Sequence, residues 1–334
     1  MRRTLYDSAM RVTTLEAHVA GAAVRLVTSG IPSIDGATMV ERQQSFEARA
    51  SAIALRLTRE PCGHAGMVGV VLTEAEQPDA DAGLLFFTGA GPRGHSGHAA
   101  MGAIVLARAN GLLTSSRALA ALDTPAGPCL VELLRAGNGS SARVRYEGPP
   151  ATVVRGNQRV TVRSRTLRLD LAWSGTEIVA IVEGESAGVP LSAAHTLELR
   201  RAAREILEVL EGMVAPIPPG HREAVAPSAC VFVGPASTTD ADVRAVMVRA
   251  DGSVSRSPSA SGTAAVAVVL AAMGLLPPGA PSRHESLSGT SWLAEVTSAG
   301  ELSKVAITAD VHQTGACDWH LEAGDPLMRG ALWA

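Results

Sequence analysis

Short apolar and β-branched runs recur along the whole chain. Most are four to seven residues long and end at Gly, Pro, Asp or Ser, the pattern of strands closed by turns. Residues 23–28, 67–73, 83–87, 129–134, 143–146, 159–162, 167–171, 178–182, 229–233, 245–248 and 304–308 are predicted as strands on this basis. Four stretches have helical spacing instead. Residues 39–56 place charges between apolar positions, and 195–211 set leucines and an isoleucine on one face. Residues 97–109 and 262–273 are small and apolar all round, the signature of buried helices. Two buried helices among many short strands predict an α+β protein of two domains, each a curved sheet around its own central helix.

The two apolar helices resemble each other. Ser96 precedes the first, which runs to Gly111-Leu112-Leu113; Ser259 precedes the second, which runs to Gly274-Leu275-Leu276. Ser to Gly spans 15 residues in both (111 − 96 and 274 − 259), and the copies lie 163 residues apart (259 − 96), close to half of 334. The spacing reads as an internal duplication with half a site in each copy. The small polar turns Gly97-His98-Ala99 and Ala260-Ser261-Gly262-Thr263 would present backbone N–H groups at positive helix ends, suited to a small carboxylate.

Composition narrows the function. Charged residues make up 18% of the chain and the net charge is −3, which argues against disorder and against a nucleic-acid surface. Aromatic residues, at 3%, leave little on which to stack bases. Residues 1–12 carry two arginines with no apolar run after them, and the longest apolar stretch, 264–276, is too short to span a bilayer; a cytoplasmic protein is expected. Cys62, Cys129, Cys230 and Cys317 are scattered, without a CxxC pair, so neither a zinc site nor a disulfide framework is expected. Cys317 and His320 alone would not make a metal site.

Six ordered segments resemble the proline racemase superfamily over nearly the whole chain. They are His18 to Arg25 followed by Gly30 to Met39; Arg59-Glu-Pro-Cys-Gly-His64; Asp79 to Phe86; Ser96-Gly97-His98; Arg256-Ser-Pro-Ser259-Ala-Ser-Gly-Thr263; and the closing Gly324-Asp-Pro-Leu327 with Gly330. The resemblance implies two pseudo-symmetric domains of diaminopimelate epimerase-like fold, with the active site in the interdomain cleft. Residues 1–127 with 318–334 are assigned to one domain and 128–317 to the other. It also implies cofactor-independent chemistry on a small cyclic amino acid or related carboxylate, with no membrane or nucleic-acid partner and a homodimer among the assemblies left open.

In the family's racemases two cysteines handle the α-proton, while its trans-3-hydroxyproline dehydratases keep the first cysteine and carry threonine at the second position. Here Ser96 and Ser259 stand at both positions, so they are the expected catalytic residues. Gly97, His98, Ala99, Ser255, Ala260, Ser261, Gly262 and Thr263 are the expected substrate-binding residues. Ser255 replaces the family's substrate-binding Asp, Ala22 the Glu of its GGEP segment, and Cys62 the Arg of its EPRGH segment.

A serine hydroxyl needs an adjacent base to act. His98 is the expected partner of Ser96; His95 is expected to be an exposed turn histidine, His64 a structural hydrogen-bonding group, and Cys62 a structural cysteine. The string Ser257-Pro-Ser-Ala-Ser-Gly262 is closer to the dehydratases' SPTGSG than to the racemases' SPCGTG. β-Elimination does not need two symmetric thiols, so the expected activity is a lyase removing water from a 3-hydroxyproline-like substrate. The alternatives are an epimerase or racemase of proline or hydroxyproline, an isomerase of a modified pyrroline carboxylate, and a non-catalytic carboxylate binder.

Overall fold

The computed structural model describes residues 10–115, 117–136, 141–322 and 324–331; most of the N-terminal segment 1–12 therefore lies outside the described residues. The chain divides into two compact units, changing over at 144/145 and again at 309/310 rather than at the expected 127/128 and 317/318. Both changeovers fall inside strands, which carry no turn signal for a sequence to show.

Unit 1 begins with β1 (Met10–Val19), β2 (Ala22–Ser29), α1 (Met39–Thr58), β3 (Val68–Thr73), β4 (Ala82–Thr88) and β5 (Gly91–Arg93). It continues with α2 (Gly97–Ala109), β6 (Leu119–Asp123), β7 (Cys129–Ala136) and β8 (Ser141–Glu147), which runs across the changeover. Helix α1 opens at a capping box in which the Thr38 hydroxyl accepts from the Glu41 N–H and Glu41 reaches back to the Thr38 N–H. Its apolar stripe, with Phe46, Ile53 and Leu57, packs on Val27, Val71, Leu85 and Phe87. The Arg56 guanidinium holds Asp325 at 2.6 Å and the Leu327 carbonyl at 2.9 Å, which gives the closing Asp-Pro-Leu segment a structural role.

Unit 2 has β9 (Thr152–Val162), β10 (Arg165–Trp173), β11 (Ile178–Glu183), α3 (Gly184–Ala187), α4 (Thr196–Glu211), β12 (Pro227–Gly234) and β13 (Val243–Arg249). After these come α5 (Ala260–Ala272), β14 (Pro281–Glu285), β15 (Ser291–Ser298) and β16 (Lys304–Leu321), whose distal half belongs to unit 1 and pairs with β1. Its sheet is buried on both faces, and period-two alternation sorts the residues. Ile178, Ala180, Val182, Cys230, Phe232, Val246 and Val248 face Leu199, Ile206 and Leu210 of α4. Val179, Ile181, Ala229, Val231, Ala245 and Met247 face α5. Helix α5 touches strands from β15 to β9. Those strands span roughly 30 Å at about 4.8 Å each, so a helix about 10 Å across meets both edges only if the sheet curls round it.

The two units repeat one plan. In unit 1, β1–β2 is antiparallel, β2–β3 parallel, β3–β4 antiparallel, β4–β6 parallel and β6–β7 antiparallel. In unit 2 the same alternation runs through β10–β11, β11–β12, β12–β13, β13–β14 and β14–β15. Side-chain devices repeat with it. Asp81 accepts from the Ala121 N–H at 2.9 Å, and Asp242 from the Arg283 N–H at 2.7 Å. Asp123, at the end of β6, accepts from the N–H groups of Glu76 and Gln77; Glu285, at the end of β14, accepts from the Ser237 N–H and hydroxyl. Gly111 and Gly274 end the two central helices with φ of +69° and +74°, a left-handed turn that glycine adopts without a Cβ penalty. The duplication expected from spacing is thus present in the topology.

Several strands escaped the sequence reading, among them β1, β6, β14, β15 and most of β16. In β1 the buried positions include Thr14, which accepts from the Trp319 indole at 2.9 Å and donates to Glu16 at 2.6 Å. Glu16 holds Arg25 at 2.8 Å, and the Arg25 guanidinium lies 4.3 Å from the Trp319 ring centroid. A strand that buries a polar network shows no apolar alternation.

Candidate functional site

Ser96 and Ser259 occupy equivalent places, each the residue just before its unit's central helix, and each buried. Their surroundings differ. Ser96 has extended backbone, and its hydroxyl makes no capping bond; it lies 3.4 Å from His98 Nδ1. Ser259 has φ +66°, uncommon for a side chain with Cβ and worth of order 1–3 kcal/mol of strain. Its hydroxyl accepts from the Gly262 N–H at 3.5 Å, lies 2.9 Å from the Met247 sulfur and 3.4 Å from the Ser261 hydroxyl. So α5 partly caps itself, whereas its small polar turn predicts open N–H groups at this end. A Cβ at Gly262 would sit 3.0 Å from the Val231 side chain, so the close approach of α5 to β12 leaves little room for a larger residue there.

The expected binding residues divide in function. Gly97 and Ala99 are buried in the first turn of α2, and Ala260 and Ser261 open α5. Ser255 turns inward, its hydroxyl donating to the Ser257 carbonyl at 2.8 Å. Thr263 serves the core: its side chain is fully buried, its hydroxyl accepts from the Trp292 indole at 3.0 Å, and its N–H donates to the Ser259 carbonyl.

His95 does not lie in an exposed turn. It is buried rather than exposed, with Nδ1 3.2 Å from the Thr124 hydroxyl and its ring edge-on to Phe86. Burial, with the Arg93 charge nearby, pushes its pKa down to about 3. The polar run around it predicts a surface turn, but His95 is covered by Phe86 of β4 and by Thr124, which follows β6 and is 29 residues further along the chain. His64 is half-buried with Nδ1 3.0 Å from the Ala65 carbonyl. Cys62 is half-buried with its thiol pKa raised by desolvation, and its carbonyl accepts from Arg25 at 2.9 Å. Burial pushes Cys129 up to about 12 and raises Cys230 further, so both stay thiols. Cys317 and His320 are three residues apart on β16 and so point to opposite faces. Among the described residues no group of three or more His, Cys, Asp or Glu could hold a metal ion, and no helix is long and apolar enough to cross a membrane.

One cluster has no counterpart in the sequence reading. Glu177, in the turn before β11, accepts from Ser261 at 2.9 Å and from Ser228 at 3.0 Å, and pairs with Arg249 at the end of β13. Arg249 also donates to Ser261 at 3.2 Å. Glu177 and Arg249 are 72 residues apart, and only the β11–β12–β13 register joins them.

His284, on β14, is fully buried, and neither ring nitrogen has a hydrogen-bond partner among the described residues. Desolvation holds its pKa down to about 4. Above pH 6.5 it is neutral folded or unfolded. As pH falls below 6.5 the unfolded chain takes up a proton that the folded chain refuses, until about pH 4. Stability therefore declines through that window by about 1.4 kcal/mol per pH unit. By the repeat, Leu122 is the unit 1 counterpart of His284. His284→Leu should flatten the slope of urea-unfolding free energy between pH 6.5 and 4; an unchanged slope would disprove this role.

The proline racemase family profile matches residues 14–332. The 4-hydroxyproline 2-epimerase of Streptosporangium roseum is 29% identical over 326 residues, covering 95% of this chain and 97% of that protein. The trans-3-hydroxy-L-proline dehydratase of Burkholderia cenocepacia is 30% identical over 347 residues, covering 96% and 98%. Among solved structures, a hydroxyproline epimerase from Agrobacterium vitis with bound trans-4-hydroxy-L-proline superposes with a TM-score of 0.83 at 21% identity, covering 97% of this chain and 95% of that one.

Proposed function

This chain belongs to the proline racemase family, and from that premise we propose that it is a cofactor-independent lyase. It removes the α-proton and the ring hydroxyl of a 3-hydroxyproline-like cyclic amino acid, with Ser96 and Ser259 as its two proton-handling groups. The observation that carries this reading is the inequality of the two serines. Ser96 has an imidazole beside it, whereas Ser259 has a hydroxyl and a thioether, with an ion pair behind that hydroxyl. Racemisation runs through equivalent steps in both directions and favours interchangeable groups. Elimination divides the work: one group takes the α-proton and another assists departure of hydroxide. The hydroxyproline dehydratase and epimerase relatives both support a hydroxylated pyrrolidine carboxylate as substrate.

The test is incubation in D2O with proline and each isomer of 3- and 4-hydroxyproline, followed by proton NMR. The expected result is loss of the ring hydroxyl and appearance of a pyrroline carboxylate from a 3-hydroxyproline. α-Deuteration with the hydroxyl retained would establish epimerisation instead. No change in any substrate would leave carboxylate binding as the reading.

A further inference from the structure

The internal repeat sets Ser261 where His98 stands, each two residues after its serine and each with its polar atom 3.4 Å from that serine's hydroxyl. It also locates the ion pair behind Ser261. Counting from the equivalent Asp81 and Asp242, Arg249 corresponds to Thr88. The ladders Thr88–Val68–Val24 and Arg249–Ala229–Val179 then carry the register on, so that Glu177 corresponds to Ala22. Unit 1 thus has a histidine beside its serine and no acid at the Ala22 position. Unit 2 has a serine there and an acid behind it.

We propose that Glu177, acting through Ser261, fixes Ser259 as the hydrogen-accepting arm of the site. The direction follows from hydrogen-bond inventory. An ionised carboxylate paired with Arg249 only accepts, so Ser261 spends its single proton on Glu177. Ser261 accepts from Arg249, and its remaining lone pair can only accept from Ser259. The other neighbour on that side, the Met247 sulfur, likewise only accepts. The Ser259 hydrogen is therefore drawn into the cluster, and an oxygen lone pair is left for the substrate. In the elimination proposed above, on which this step rests, the Cα–H bond breaks as its proton goes to Ser259 Oγ. The proton of Ser259 passes to Ser261 and that of Ser261 to Glu177, which becomes a carboxylic acid. The electron pair left on carbon expels hydroxide from the neighbouring ring carbon. Glu177 and Ser261 are positioning residues, since neither touches the reacting atoms.

Neutron diffraction from deuterated crystals of the full chain tests the direction without any substrate. Deuterium on Ser259 is expected toward Ser261, and deuterium on Ser261 toward Glu177. Deuterium on Ser259 directed at the Met247 sulfur or out of the cluster, or deuterium on Ser261 directed at Ser259, would overturn the proposal. In kinetics, Ser261→Ala leaves the Glu177–Arg249 pair intact and should lower kcat about 100-fold with KM little changed, and Ser261→Thr should restore it. Glu177→Gln, whose amide can donate to Ser261 and reverse the chain, should lower kcat similarly and remove the acid limb of the pH profile. A Ser261→Ala enzyme within about twofold of wild-type kcat would disprove the relay. If wild type turns over none of the substrates, the lyase reading fails while the neutron result still decides the hydroxyl direction.

Discussion

Alanine at Ser96 or at Ser259 should cut elimination from a 3-hydroxyproline-like substrate at least about 10³-fold, roughly 4 kcal/mol of transition-state stabilisation. Each hydroxyl is buried at the head of its unit's central helix, next to a group able to exchange a proton with it. No cysteine stands at either position to take over, and Cys129 and Cys230 are held as buried thiols. The two variants should part company in stability. Ser96 makes no capping bond, so Ser96→Ala should leave thermal unfolding nearly unchanged. Ser259 accepts from the Gly262 N–H, so its loss should cost about 1 kcal/mol. Kinetics at saturating substrate together with thermal denaturation would check both statements. An alanine variant that retains more than a tenth of wild-type kcat would move the active site away from that serine.

The largest effect on stability is expected at Glu285. Its side chain is fully buried and accepts from the Ser237 N–H at 2.7 Å and the Ser237 hydroxyl at 2.5 Å. Arg244 lies 3.5 Å away, its side chain only 17% exposed. Glu285→Ala leaves that guanidinium without its carboxylate and the Ser237 N–H without an acceptor. Removing one partner of such a pair costs about 3–5 kcal/mol. Asp123 is its counterpart in unit 1, where it accepts from two N–H groups at 2.8 Å; Asp123→Ala should cost about 2–3 kcal/mol. Because each carboxylate ties loops within its own unit, hydrogen exchange should show protection falling mainly in the unit that carries the change. A loss below about 1 kcal/mol in Glu285→Ala, or equal loss of protection in both units, would refute this account.

Much of the architecture is written locally. Helix 97–109 is read to its last residue, because an apolar run between a serine turn and a Gly-Leu-Leu end needs no partner to declare itself. Residues 39–56 lie inside α1, which runs two residues further, and 195–211 begins one residue before α4. Residues 262–273 miss the first two residues of α5, whose start is set by the left-handed Ser259. Strand 304–308 is only the apolar head of β16; the rest, with alternating exposed residues, is a strand because β1 lies beside it.

The family, the two equivalent helices and the two serines before them are legible in the chain alone, since they rest on residue types at short, fixed spacing. What surrounds those serines is settled by packing between segments far apart in the chain. That packing buries His95 against Phe86 and Thr124, turns Thr263 to Trp292, and sets Glu177 and Arg249 behind Ser261. A hydroxyl has no direction of its own; its neighbours decide where its proton can go. Around Ser259 those neighbours are Met247 on β13 and Ser261 in front of Glu177 and Arg249, a set assembled through strand register that no short stretch of the chain records.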